Sequence, residues 1–241
     1  MPNQQYVKIP IDHGWLESQL APSRLNPEDL QRSRFSFSLH LQEELGIVLC
    51  HPHPQMGGTM SNHVIQGIYH VCITQNITTL CFNFRGVGDS TGRFDYARGE
   101  QLDVKASVEY LLAQNPHISQ IVLIGYSFGA VVSAPIAKSH PRVKAYIAIS
   151  YPFGFFPQLE SEILFTKPKL FVLGEQDDFI PSSSFFPAFK EIPEPKSYLI
   201  IPGESHFWES GVEPLIKGIF PWIQQVFEGD QIAKESGEEE F

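Results

Sequence analysis

From residue 46 to 227 the sequence alternates short apolar runs rich in β-branched residues with stretches of helical spacing, and few folds accept that alternation. The runs at 47–50, 77–84, 121–124, 145–150, 170–173 and 198–201 are continuous rather than alternating, as expected of strands covered on both faces by helices. Between them lie apolar stripes at helical spacing. One comprises Val64, Ile65, Ile68, Val71 and Cys72, with Ser61 as its expected N-cap. Others comprise Leu102, Val108, Leu111 and Leu112, then Val131, Val132, Ile136 and Ala137, and last Val212, Leu215, Ile216, Ile219, Trp222, Ile223 and Val226. The pattern predicts an α/β fold with a doubly wound, mostly parallel sheet of about eight strands and helices on both faces. Ahead of it, 6–11, 14–20 and 35–41 read as short strands that add an antiparallel N-terminal edge.

No internal repeat or linker divides 1–227, which therefore reads as one α/β domain. Apolar periodicity stops at 228–241, where six acidic residues face one lysine, so this stretch reads as an acidic, flexible tail. The formal net charge of −10 leaves no basic excess to displace phosphate counterions, which argues against nucleic acid as a partner. No run approaches ~18 consecutive apolar residues, and the first residues lack the pattern of a signal peptide, so no membrane association is expected. Cys50, Cys72 and Cys81 lie in apolar stretches at irregular spacing, as buried thiols of a reducing compartment do; the expected location is cytoplasmic.

The chemistry gathers around Gly125-Tyr126-Ser127-Phe128-Gly129, which follows the run at 121–124 and precedes a helical stripe. A serine on a sharp strand-to-helix turn projects its hydroxyl above the sheet, and the helix N-terminus places partial positive charge beside a developing oxyanion. A hydroxyl is a weak nucleophile until a base takes its proton, and in this architecture the acid and the base follow the serine in that order. Asp177 and Asp178 lie in the loop after 170–173, and His206 lies in the Gly-containing loop after 198–201. All these loops leave the sheet at its C-terminal edge, where α/β sites form.

Together these residues make the chain resemble the α/β-hydrolase superfamily over nearly its whole length. The segments His51-Pro52-His53-Pro54-Gln55-Met56-Gly57-Gly58-Thr59-Met60 and Asn83-Phe84-Arg85-Gly86-Val87-Gly88-Asp89-Ser90 resemble a lidless group related to the dienelactone-hydrolase and prolyl-oligopeptidase-like branches. The resemblance implies hydrolysis through an acyl-enzyme, with Ser127 as nucleophile, His206 as base and Asp177, from its spacing to Gly174 and Pro181, as the carboxylate. It implies an oxyanion hole made by the N–H of Phe128 and one from the loop after 47–50. Pro52 and Pro54 have no N–H, which leaves His53 first and Gln55 next, with Met56 behind them.

Two rival readings fare worse. His51 and His53 have the spacing of a metal pair, but no third ligand stands at a matching distance, and no metal or cofactor is expected. Arg85-Gly86-Val87-Gly88 falls short of a dinucleotide fingerprint because position 91 is Thr; Arg85 is expected to brace its loop. Residues 151–168 are too few for a helical cap domain, yet they are aromatic. With the neighbouring loops they supply an apolar wall for a small-molecule acyl substrate: Tyr126, Phe153, Phe179, Phe207 and Trp208, with Phe128, Tyr151, Phe155, Phe156, Phe165, Phe185 and Phe186 as further candidates. The expected activity is cleavage of a carboxylic ester, thioester or small amide, with peptide cleavage ranked lower. The competing class is a binding or scaffold protein that retains a hydrolase fold.

Overall fold

The structure, a computed structural model, describes residues 4–21 and 44–235. Its centre is an eight-stranded sheet: β1 (Gln5–Ile11), β2 (Gly14–Ala21), β3 (Leu45–Cys50), β4 (Thr78–Phe82), β5 (Gln120–Tyr126), β6 (Val143–Ile149), β7 (Lys169–Gly174) and β8 (Lys196–Ile201). The spatial order is β1-β2-β4-β3-β5-β6-β7-β8. β3 through β8 run parallel, while the β1–β2 hairpin joins β4 antiparallel, as the alternation and the N-terminal strands predict. The third expected N-terminal strand, 35–41, lies outside the described residues.

The strands are continuously apolar because each face has its own core. Val48, Leu80, Phe82, Leu123, Tyr146 and Phe171 point to one side, against α2 (Gly99–Gln114), α3 (Phe128–Ser139) and α4 (Ser182–Glu191). Their neighbours Ile47, Leu49, Cys81, Val122, Ile147 and Val172 point to the other, against α1 (His63–Thr74) and α5 (Glu213–Glu235). The three cysteines are buried and unpaired. The N-cap of α1 is Asn62 rather than Ser61: the Asn62 Oδ1 accepts the Val64 N–H at 3.0 Å, while Ser61 sits one residue outside the helix. α5 continues to Glu235, past residue 228 where the acidic stretch begins.

Two features of this frame position a site. In the sequence β3 precedes β4 and β5, but in the sheet it lies between them, so the helices after β3 and β5 lie on opposite faces and a crevice opens at the carboxyl ends of β3 and β5. The segment between β6 and β7 holds one short 3-10 turn, Pro157–Ile163, and builds no cap domain.

Candidate active site

Ser127 stands between β5 and α3 with φ 53° and ψ −118°, a backbone conformation that non-glycine residues rarely hold. Its surroundings impose this conformation. A Cβ on Gly125 would lie 2.4 Å from Ala130 Cα, and one on Gly129 would lie 2.2 Å from the Cys50 carbonyl oxygen. The two glycines thus let α3 fold back tightly on β5 and press against the end of β3. The Ser127 N–H is tied to the Ile149 carbonyl at 2.8 Å, which anchors the turn to β6.

The Ser127 Oγ lies 3.1 Å from His206 Nε2. On the far side of the ring, His206 Nδ1 lies 2.9 Å from Asp177 Oδ2 and 3.1 Å from Oδ1, so the proton sits on Nδ1 and Nε2 is left to accept. Asp177 is itself held: its Oδ1 accepts the N–H groups of Phe179 at 3.1 Å and Ile180 at 2.9 Å. Asp177 and His206 are buried, whereas Asp178 faces solvent. The His206 carbonyl accepts from the Tyr126 hydroxyl at 2.7 Å, and burial raises the Tyr126 pKa, which keeps that donor protonated.

The loop after β3 is locked by two buried contacts. His51 Nε2 accepts the Phe84 N–H at 3.1 Å, so its proton is on Nδ1, 2.7 Å from the Pro52 carbonyl. Both ring nitrogens are committed, and burial lowers the His51 pKa to about 3, so the ring is neutral. The Met60 N–H donates to Asn83 Oδ1 at 2.7 Å. The two segments singled out at 51–60 and 83–90 therefore brace one another. Arg85 has the expected bracing role: it grips Asp103 through Nε and Nη2, the latter at 2.7 Å.

This bracing leaves few free amides in the loop. The Gln55 N–H donates to His53 Nδ1 at 3.2 Å and the Met56 N–H to the His53 carbonyl at 3.0 Å. Gln55 is thus corrected as an oxyanion donor, because its hydrogen is spent inside the turn. The His53 N–H has no acceptor among the described residues, and the Phe128 N–H, at the first turn of α3, finds no backbone acceptor there either. The His53 and Phe128 rings pack with centroids 4.8 Å apart, which sets the two amides on neighbouring segments.

A cavity of about 350 Å³ opens beside Ser127, lined by the β3–α1 loop, by Phe155 and Phe156 from the β6–β7 segment, and by Phe179 and Phe207. Tyr126, Phe179 and Phe207 take the wall positions expected of them; Phe153 and Trp208 do not. Phe153 turns inward onto Tyr151, Phe171 and Phe185. Trp208, at φ 58°, is fully buried; its Nε1 donates to Ser150 Oγ at 3.3 Å and its carbonyl meets His63 Nε2 at 3.1 Å, so it braces the His206 loop from behind. Met56 and Asn62, not expected as wall residues, also line the cavity.

Comparison with known proteins agrees with this fold. A family model described as the alpha/beta hydrolase fold matches residues 72–189. An uncharacterized protein of Rickettsia prowazekii is 30% identical over 204 residues, covering 82% of this chain and 85% of that protein. Among solved structures, a Coxiella burnetii protein described as an alpha-beta serine hydrolase homologue superposes with a TM-score of 0.75 at 29% identity, covering 91% of this chain and 99% of its own. A Xanthomonas campestris serine hydrolase described as lacking a lid gives a TM-score of 0.77 at 25% identity, covering 93% and 95%.

Proposed function

Because the chain belongs to the α/β-hydrolase family, we propose that it is a serine hydrolase cleaving a carboxylic ester, thioester or small amide through an acyl-enzyme on Ser127. The observation that carries this reading is the unbroken line from Ser127 Oγ through the His206 ring to Asp177 at the mouth of an apolar cavity. As Oγ bonds to the substrate carbonyl carbon, its proton passes to His206 Nε2 and the carbonyl electron pair moves onto oxygen. The N–H groups of Phe128 and His53 hold that oxyanion. Collapse breaks the bond to the leaving group, which takes the proton from Nε2. Water then attacks the acyl carbon, gives its proton to the same nitrogen, and the acid departs as Oγ regains its hydrogen. Asp177 stabilises the imidazolium throughout and does not take its proton.

A fluorophosphonate probe tests the proposal. Labelling of the folded protein at Ser127 is expected, together with turnover of short p-nitrophenyl esters that His206→Ala abolishes without unfolding the protein. A folded protein that takes no label, or labelling that survives Ser127→Ala, refutes it.

A further inference from the structure

Two side chains on the β3–α1 loop use one polar atom to fix the direction of another. The Asn62 Oδ1 accepts the Val64 N–H, which settles which end of the amide is oxygen and leaves both Nδ2 hydrogens without an acceptor among the described residues. His53 Nδ1 accepts the Gln55 N–H, and burial holds the ring toward its neutral form, so its proton is on Nε2, again without an acceptor there. Both residues line the cavity. Around them the wall is apolar, with Met56, Phe155, Phe179 and Phe207 exposed at its rim. Among the described residues, no Asp, Glu, Lys or Arg lines it. The described lining thus includes two neutral residues with donor hydrogens to spare and no charged side chain.

A charged group entering such a space leaves water with no partner among the described residues, while an oxygen acceptor meets donors whose side chains are already held at their other polar atom. We infer that the site takes an uncharged ester whose apolar chain carries a hydrogen-bond acceptor oxygen, read by Asn62 Nδ2 and His53 Nε2. The inference rests on the serine-hydrolase reading of the same site. At ~30 Å³ per non-hydrogen atom, the cavity of about 350 Å³ holds about a dozen such atoms, enough for a chain with an internal carbonyl or ether oxygen.

Three esters of similar length test this: p-nitrophenyl octanoate, the mixed p-nitrophenyl methyl ester of adipic acid, and the mono-p-nitrophenyl ester with its free carboxylate. Asn62→Ser keeps a good N-cap and removes the amide donor. The ratio of kcat/KM for the methyl adipate ester over the octanoate is expected to fall about tenfold in Asn62→Ser, the size of one net neutral hydrogen bond. The free carboxylate is expected to react at least about tenfold more slowly than its methyl ester in the unmodified protein. A ratio unchanged by Asn62→Ser, or a carboxylate processed as fast as its methyl ester, overturns the inference and leaves the serine-hydrolase reading standing. Calorimetric binding of dimethyl adipate against methyl octanoate to Ser127→Ala, with and without Asn62→Ser, gives the same double comparison without turnover. The inference is therefore decided even if no ester is cleaved.

Discussion

Replacing Asp177 by Asn isolates what the buried carboxylate does, because the structure dictates how the amide must sit. The two oxygens of Asp177 are not equivalent: Oδ1 accepts the Phe179 and Ile180 N–H groups, while Oδ2 makes the shorter, 2.9 Å contact to His206 Nδ1. An asparagine keeps its carbonyl oxygen at the Oδ1 position, since turning the amide over would strip two buried N–H groups of their acceptor at ~1–3 kcal/mol each. Its NH2 then faces His206 Nδ1 and donates to it. The imidazole proton is forced onto Nε2, which points a hydrogen at Ser127 Oγ where a lone pair is needed. With the base in the wrong tautomer, kcat is expected to fall by about 10⁴, or about 5.4 kcal/mol of transition-state stabilisation. Stability changes little, because the turn keeps both backbone hydrogen bonds. The assay is p-nitrophenyl ester turnover beside urea unfolding, with Asp178→Asn as control, a solvent-facing change expected to leave turnover near that of the parent. A folded Asp177→Asn protein that keeps a tenth of the activity, or an Asp178→Asn protein that loses most of it, would refute this account.

Two further predictions use the loop after β3. His53 has φ −56° and ψ 120°, an angle proline accepts, so His53→Pro removes the N–H without bending the chain. Set against His53→Ala, which loses the same imidazole but keeps the amide, it is expected to cost a further 10²–10³ in kcat (about 3–4 kcal/mol); equal rates would move the second oxyanion donor elsewhere. His51 bears on stability. Its folded pKa of about 3 lies below the ordinary 6.5, so the unfolded chain takes up a proton that the folded protein refuses. Its contribution is whole above about pH 6.5 and is lost as pH falls toward about 3. Urea midpoints are expected to drop less between about pH 7 and about pH 4.5 in His51→Gln than in the parent, and parallel drops would show that another group governs acid sensitivity.

The serine, the aspartate and the histidine were readable because each follows an apolar run, and a parallel sheet sends the ends of all such runs to one edge. Sheet order was not written in any single segment. That β3 lies between β4 and β5, which makes the crevice, follows from how strands pair over long range. α4 shows no clear apolar stripe in the sequence, because Pro187 and three serines at its start interrupt it, although Phe185 is buried. Aromatic loop residues were the least legible. Whether Phe153 or Phe155 faces the cavity depends on loop dihedrals, and the positive φ of Trp208 turns an indole inward that its neighbour Phe207 does not follow. The same holds for amides: Gln55 and His53 are equivalent as letters, and only the fold of the turn shows which hydrogen is already spent.

The separations within the triad carry a consequence for folding. Ser127 and His206 are 79 residues apart and His206 and Asp177 are 29 apart, while the His53 loop comes from a strand earlier than either. No local stretch of chain holds even two of these groups together. These groups meet only when β3, β5, β7 and β8 have all found their neighbours, so a nascent chain or a proteolytic fragment is expected to be chemically silent. On the serine-hydrolase reading, a reagent that marks Ser127 therefore counts completed sheets, and the nucleophile doubles as a gauge of how many molecules have finished folding.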